Sequence, residues 1–299
     1  MESLQREIIL IEKVCEIYHK ISKLDSLKPS EDVDSLFTEL VRTCIPPSSI
    51  NIATLPADVQ EIRSKLIRLC GEAEGHLEAH FSAILGSFPN PLQHLNEFPY
   101  YSNYLKISRL EFDILTEHYS ASGQAPKRLA FVGSGPMPLS SIVLASYHLK
   151  DTIFHNYDID SMANSMASHL VSSDPDLSQR MVFHTANIMD VTDELKEYDV
   201  IFFAALVGMD IDEKVKVIAI WQNAQQLQGF EVLSVFHPND DVINSVVISR
   251  KIAEPVTIDD GYNHHHHEWR IDSIMPLSCK YCEFKTFNDP LGQMKMIDN

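Results

Sequence analysis

Residues 127–160 read Lys127-Arg-Leu-Ala-Phe-Val-Gly-Ser-Gly-Pro-Met-Pro138, an apolar run from Leu139 to Leu149, then Thr152-Ile-Phe-His-Asn-Tyr-Asp-Ile-Asp160. This order predicts a short apolar strand, a Gly-x-Gly turn, an apolar helix, a second strand and an acidic end. Such an arrangement builds a nucleotide cradle. Gly133 and Gly135 let the backbone pass close to a ligand where a β-carbon would collide. Ser134 and Pro136 complete the turn. The helix that follows presents free N–H groups at its start. Asp158 closes the second strand about 20 residues further on, where a carboxylate can accept ribose hydroxyls.

A dinucleotide fingerprint requires a third glycine three residues after the second, and Pro138 stands there. Proline suits the first turn of a helix but removes the close approach that the third glycine allows. The pattern therefore disfavours pyrophosphate and favours a ligand with a ribose and no phosphate. S-adenosylmethionine (SAM) is the common ligand of that kind. The competing reading is a tight strand-to-helix turn that binds nothing.

The chain has 299 residues, enough for a large core. Its 42 acidic and 24 basic residues give a net charge of −18, which repels phosphate backbones and argues against nucleic acid as a partner. The opening Met-Glu-Ser-Leu-Gln-Arg-Glu lacks the basic and apolar regions of a secretory signal. No stretch reaches the ~18 apolar residues of a membrane span. The cysteines Cys15, Cys44, Cys70, Cys279 and Cys282 are odd in number and scattered, which suits reduced thiols and a cytoplasmic location. Cys279-x-x-Cys282 near His264–His267 imitates a zinc pattern, but the surrounding Asp-Asp-Gly-Tyr-Asn reads as an exposed loop, so the expectation is a solvated histidine tract and no metal site.

The pattern divides the chain into an N-terminal helical domain (1–122), a Rossmann-like SAM-binding domain (123–252) and an irregular tail (253–299). Before Gly123, apolar residues fall at helical spacing. Helices are expected around residues 8–18, from Ser30 to Cys44, from Ala57 to about Ser87 and from Tyr104 to Tyr119. Beyond Pro126, strands and helices alternate, which predicts a parallel sheet covered on both faces. Strands are expected at 128–133, 153–158, 181–185 and 199–207, then at 230–236 and 242–248. The last two are joined by His237-Pro-Asn-Asp-Asp241, too short for a crossover, so they should be antiparallel. The fold class is α/β, similar to the class I SAM-dependent methyltransferases.

Several long blocks resemble plant nicotianamine synthase. They are Leu-Ile-Arg-Leu-Cys-Gly-Glu-Ala-Glu-Gly (66–75), Phe-Pro-Tyr-Tyr-Ser-Asn-Tyr-Leu-Lys (98–106), Phe-Val-Gly-Ser-Gly-Pro-Met-Pro-Leu (131–139), Phe-His-Asn-Tyr-Asp-Ile-Asp (154–160), Leu-Val-Ser-Ser-Asp-Pro-Asp-Leu-Ser-Gln-Arg-Met (170–181) and Glu-Val-Leu-Ser-Val-Phe-His-Pro (231–238). The resemblance covers nearly all of residues 1–251. It implies condensation of three SAM molecules into nicotianamine with release of three methylthioadenosines, for chelation of iron, zinc, copper and nickel. It implies no cofactor beyond SAM itself. An amine attacks the carbon beside the sulfonium, which is already a good leaving group.

The attacking amine must lose a proton. The resemblance points to a glutamate of the Glu72, Glu74, Glu78 group, paired with a tyrosine of the Phe-Pro-Tyr-Tyr block. Glu74 is expected as base and Tyr100 as the group that orients it, with Tyr104 the second choice. Read without the resemblance, these residues form a solvated acidic helix face and packing aromatics. Asn187 and Asp190, after the third strand, are expected to face the adenine. Ala204-Ala205, at the fourth, offer small residues beneath the ligand.

Relative to the family, the stretch Gly208–Gly229 holds one helical segment, Asp212 to about Gln228, where a helix and then a fifth strand should stand. Roughly 30 residues, one βαβ step, are absent around Val217–Trp221. The final hairpin is therefore expected to move beside strand four and cover its edge, in a destabilised protein of low activity. An ordinary small-molecule methyltransferase, or a shortened SAM-binding protein without turnover, are the alternative readings.

Overall fold

The computed structural model describes residues 2–44, 50, 54–119, 125–191, 194–204, 207, 230–236 and 246–251. Three helices come first: α1 (Glu2–Ile21), α2 (Glu31–Cys44) and α3 (Ala57–Gly86). Ile17 and Ile21 of α1, Leu40 of α2 and Leu66 of α3 meet in one buried cluster with Leu27. After a 3₁₀ turn at Pro91–Glu97, α4 spans Tyr101–Tyr119. It begins one turn earlier than the sequence suggests, directly after Pro99, because proline excludes the helical region from the residue before it and not from those after it.

The sheet follows: β1 (Arg128–Val132), α5 (Leu139–Val143), β2 (Ile153–Asp158), α6 (Ser161–Val171), α7 (Leu177–Arg180), β3 (Met181–Thr185) and β4 (Val200–Phe203). Its order is β3-β2-β1-β4, and all three pairings are parallel. Side chains alternate across it as the pleat requires. Leu129 and Phe154 enter one core together with Leu85, Leu115 and Leu139, whereas Ala130, Val132 and Tyr157 enter a second core with Leu195 and Tyr198. The first core draws on both sides of residue 122, and α4 packs on α5 while α3 packs on α6. Helices α3 and α4 thus share one core with the sheet.

Four expectations are corrected. The run from Leu139 to Leu149 is a single turn of α-helix followed by a wider π turn at Leu144–His148. The fourth strand ends at Phe203, four residues short of the expected bound. The hairpin of β5 (Phe230–Phe236) and β6 (Val246–Lys251) is antiparallel as expected, with a register shift between Val232 and Ser234, but β6 lies further along than 242–248. This hairpin forms a sheet of its own and does not pair with β4. Pairing with a sequence neighbour closes a short loop, which costs less chain entropy than docking on a distant edge. The helix expected at 212–228, the junction at Val217–Trp221, the His264–His267 tract, Cys279, Cys282 and the tail 253–299 lie outside the described residues. Among the described residues, no helix is long and apolar enough to cross a membrane.

Arg180 fixes the crossover between β1 and β2. Its guanidinium donates to the carbonyls of Ala145 (3.0 Å), Thr152 (3.1 Å) and Leu149 (3.3 Å), and its Nε donates to Asp176 at 2.8 Å. Three helix-end and turn carbonyls therefore find a cationic donor that water cannot replace at equal strength. Arg180→Ala should lower unfolding stability by about 3 kcal/mol, read as a lower urea midpoint with an unchanged slope.

Candidate functional site

The loop after β1 carries the two glycines at positive φ, +76° at Gly133 and +64° at Gly135. Both N–H groups are placed by β2. Gly133 donates to the Tyr157 carbonyl at 2.8 Å, and Gly135 donates to Asp158 Oδ2 at 2.9 Å. Asp158 Oδ1 accepts the Asp160 N–H at 2.9 Å. One carboxylate therefore ties the glycine loop to the start of α6, which Asp160 caps through the Met162 N–H at 2.8 Å. A carboxylate has about four acceptor positions, so Asp158 keeps capacity for two ribose hydroxyls. Ser134 and Pro136 are buried in the turn, and among the described residues Ser134 Oγ has no hydrogen-bond partner.

Helix α3 delivers Glu78 to this loop. A β-carbon on Gly135 would lie 2.8 Å from Glu78 Oε2. Tyr104 of α4 donates to the other oxygen, Glu78 Oε1, across a long 3.4 Å contact. Burial, then the neighbouring Glu74 carboxylate, pushes the Glu78 carboxyl up to about 8, and Tyr104 restrains that rise. Burial is also the first cause that keeps the Tyr104 phenol protonated far above the usual range, reinforced by Glu78 and Glu74. Glu78 is thus the group of this pair raised toward neutrality, and Tyr104 faces it as a protonated donor.

The remaining sequence candidates fall into two groups. Ala204 joins the site: its N–H donates to the Val132 carbonyl at 2.9 Å, and its methyl lies 3.3 Å from where a β-carbon on Gly133 would stand. Glu74 and Tyr100 stand one turn away from this couple. Glu74 is exposed as a residue, although neighbouring protein still raises its carboxyl, and the open surface is the better guide to its access to water. Tyr100 is 49% exposed and sets its ring edge-on against Phe98 at 5.6 Å. Asn187 and Asp190 are exposed on the turn after β3, and the Asn187 side chain accepts the Met189 N–H at 3.0 Å. Ala205 lies outside the described residues.

Two apolar side chains stand out beside these residues; Met189 lies in the stretch already expected to face the adenine, whereas Ile159 escaped the sequence reading. Ile159, directly after Asp158, is 76% exposed, and Met189 is 42% exposed. Asp158 pairs with Thr185 in register, so both residues leave the sheet at its C-terminal edge on adjacent strands. Exposed apolar residues beside a strand-end carboxylate have the chemistry to pack on the faces of a flat ring. The signal was available in the Asp158-Ile-Asp160 order, where an apolar residue interrupts two acids at a strand end.

The family model described as nicotianamine synthase protein matches residues 2–224 and 219–256. Probable nicotianamine synthase 4 of Arabidopsis thaliana is 54% identical over 297 positions, covering 90% of this chain and 89% of that one. Nicotianamine synthase of Solanum lycopersicum is 50% identical over 315 positions, covering 97% and 96%. In both alignments the positions outnumber the residues that this chain contributes, so the relatives carry residues inside the aligned span that have no counterpart here. The break between the two family matches, at residues 219–224, coincides with the shortened stretch read from the sequence. Among solved structures, MtNAS in complex with MTA and tNA superposes with a TM-score of 0.61 at 18% identity, covering 81% of this chain and 97% of that one. A variant of MtNAS in complex with S-adenosylmethionine gives 0.57 at 18% identity.

Gly135→Ala should cut SAM affinity by at least about tenfold in calorimetry, because the positive φ is strained for alanine by ~1–2 kcal/mol and the new methyl meets Glu78. Gly75→Ala, in an open position of the same helix as Glu78, should bind SAM normally and gain up to about 1 kcal/mol of stability. The raised Glu78 carboxyl holds its proton more tightly folded than unfolded. Its contribution to stability is full below about 4.5 and is lost as the pH rises through about 8. Thermal melts of the ligand-free protein should fall across that window, and Glu78→Gln should flatten the fall.

Proposed function

The chain belongs to the nicotianamine synthase family, and from that premise we propose that it transfers the aminobutyrate portion of SAM to an amine, with Glu78 as base and Tyr104 as its orienting donor. The observation that carries this reading is the meeting of Glu78 and Asp158 at one residue, Gly135. Methylthioadenosine and nicotianamine are the expected products. The loop of Gly133, Ser134, Gly135 and Pro136 supports the ligand backbone-first, Asp158 takes its ribose, Ile159 and Met189 flank its base, and Ala204 leaves room beneath it.

In the reaction the amine nitrogen forms a bond to the carbon beside sulfur. The C–S bond breaks, and its electron pair neutralises the sulfonium as a thioether. The proton of the attacking ammonium passes to the Glu78 carboxylate, which then returns it to water. A base whose carboxyl sits at about 8 is matched to this exchange at physiological pH. Tyr104 occupies Oε1 and leaves Oε2 for the amine. No further cofactor is needed, because sulfonium supplies its own leaving group. The placement of Glu78 favours it over Glu74, and the placement of Tyr104 favours it over Tyr100. The free, half-buried Cys44 and Cys70, with thiols raised to about 11 and about 12 chiefly by desolvation, fit a reducing cytoplasmic setting.

The cradle residues all precede residue 205, and the shortened stretch follows it. SAM binding is therefore expected to survive, while condensation is expected to be slow. Incubation with SAM alone and mass spectrometry should detect methylthioadenosine; S-adenosylhomocysteine as the main nucleoside would favour a methyltransferase, and SAM binding without any product would favour a protein that has lost turnover. Where turnover is measurable, kcat should rise with pH through about 8 and Glu78→Gln should abolish it with SAM affinity retained.

A further inference from the structure

Helix α6 begins at the site, where Asp158 and Asp160 hold its first turn, and it packs on both β2 and β3. Its fourth residue, Asn164, is 5% exposed. The side-chain amide nitrogen donates to the His184 carbonyl at 3.0 Å, to Thr185 Oγ1 at 3.0 Å and to the Asp158 carbonyl at 3.3 Å. Two of these acceptors are carbonyls, which cannot donate, so the group that faces them is the NH₂ and not the amide oxygen. Its two hydrogens are shared among three acceptors. Asn164 Oδ1 is buried and has no hydrogen-bond partner among the described residues. A leucine would fill much the same space without an unmet acceptor. The donations are therefore what this side chain contributes.

Those donations fall where the sheet ends. The β2–β3 ladder stops at the pair Asp158 and Thr185. A backbone bond from the Ala186 N–H to the Asp158 carbonyl, at 3.1 Å, closes it. Strand ends open more easily than strand centres. The Asp158 carboxylate is gripped by the N–H groups of Gly135 and Asp160, each of which moves with its own loop. Asn164 reaches from a third element and joins the two strand ends behind that carboxylate. Its bond to the Asp158 carbonyl holds the residue from the main-chain side. A hydrogen bond weakens steeply once its angle falls below about 120°, so a small rotation of the strand end is enough to spoil the fit to a pair of hydroxyls.

We propose that Asn164 is a positioning residue for ribose recognition: by stitching the ends of β2 and β3 together it fixes the direction in which Asp158 presents its carboxylate to the two ribose hydroxyls of SAM. The inference rests on the reading of Asp158 as the ribose acceptor. Asn164 acts through Asp158, and no bond is made or broken in the protein. Loss of its amide therefore falls on the ribose contacts and spares those to the rest of the nucleoside.

The full chain is titrated by calorimetry with methylthioadenosine and with its 2′-deoxy and 3′-deoxy analogues, which reads affinity without turnover. The parent should bind methylthioadenosine more tightly than at least one analogue by about tenfold or more, the size of a hydrogen bond to a charged group. Asn164→Leu should reduce that ratio to about threefold or less, by weakening methylthioadenosine more than the analogue. Asn164→Gln, which keeps an amide donor, should recover part of it. Asp158→Ala should remove the discrimination. A structural loss alone would weaken all three ligands alike. A ratio unchanged from the parent in Asn164→Leu overturns the inference and leaves the reading of Asp158 intact, and Asn164→Ala decides the matter if the leucine variant does not fold. Equal binding of the three ligands by the parent, or discrimination that survives in Asp158→Ala, overturns both.

Discussion

The site depends on a single packing constraint: a helix from the N-terminal wall must press a carboxyl against a glycine loop of the sheet. Glu78 is half-buried there, and a β-carbon on Gly135 would stand only 2.8 Å from its Oε2. Burial raises the proton affinity of the carboxyl well above the ordinary carboxylate range. The cost of holding it is borne by the shared core, in which Leu85 of α3 and Leu115 of α4 pack with Leu129 of β1 and Phe154 of β2. Were the helices and the sheet independent, the carboxyl would swing to water and return to the ordinary range.

Charge complementarity follows from the same arrangement. The substrate brings a permanent cation on sulfur, so a conventional basic residue would repel it. Exposed Glu74 and half-buried Glu78, one turn apart on α3, are carboxyls and not cations. Low local polarity makes each of those charges count for more than it would on the surface. The hydroxyl of Tyr104 serves as a neutral donor in this setting, and a lysine or arginine there would hold Glu78 permanently ionised and compete with the amine.

Much of this was legible in the sequence because it is local. The β1–loop–β2 unit follows from two glycines, one acid and two apolar strands, and the structure keeps each in its expected place. The N-terminal helices follow from periodicity for the same reason. What was not legible depends on contacts between distant segments. Glu72, Glu74 and Glu78 occupy two turns of one helix, and only its packing angle decides which of them meets Gly135. Tyr104 outranks Tyr100 because α4 starts right after Pro99, so one further turn carries the ring inward. The edge of β4 and the separate hairpin are decided by competition between pairing partners, which periodicity cannot weigh.

Every residue of the cradle lies between Glu78 and Ala204, in chain order α3, α4, β1, β2, β3, β4. On a ribosome that sequence is also a timetable. At about 5–20 residues per second the stretch after Ala204 takes seconds to synthesise, whereas collapse of a hundred-residue chain takes about 10–100 μs. The nascent chain can therefore close its four-stranded sheet, and with it the pocket, before the hairpin has left the tunnel. Altered length beyond Ala204 then reaches a unit that is already assembled, and this gives such a gene latitude to vary its later coding region while the ligand cradle continues to form.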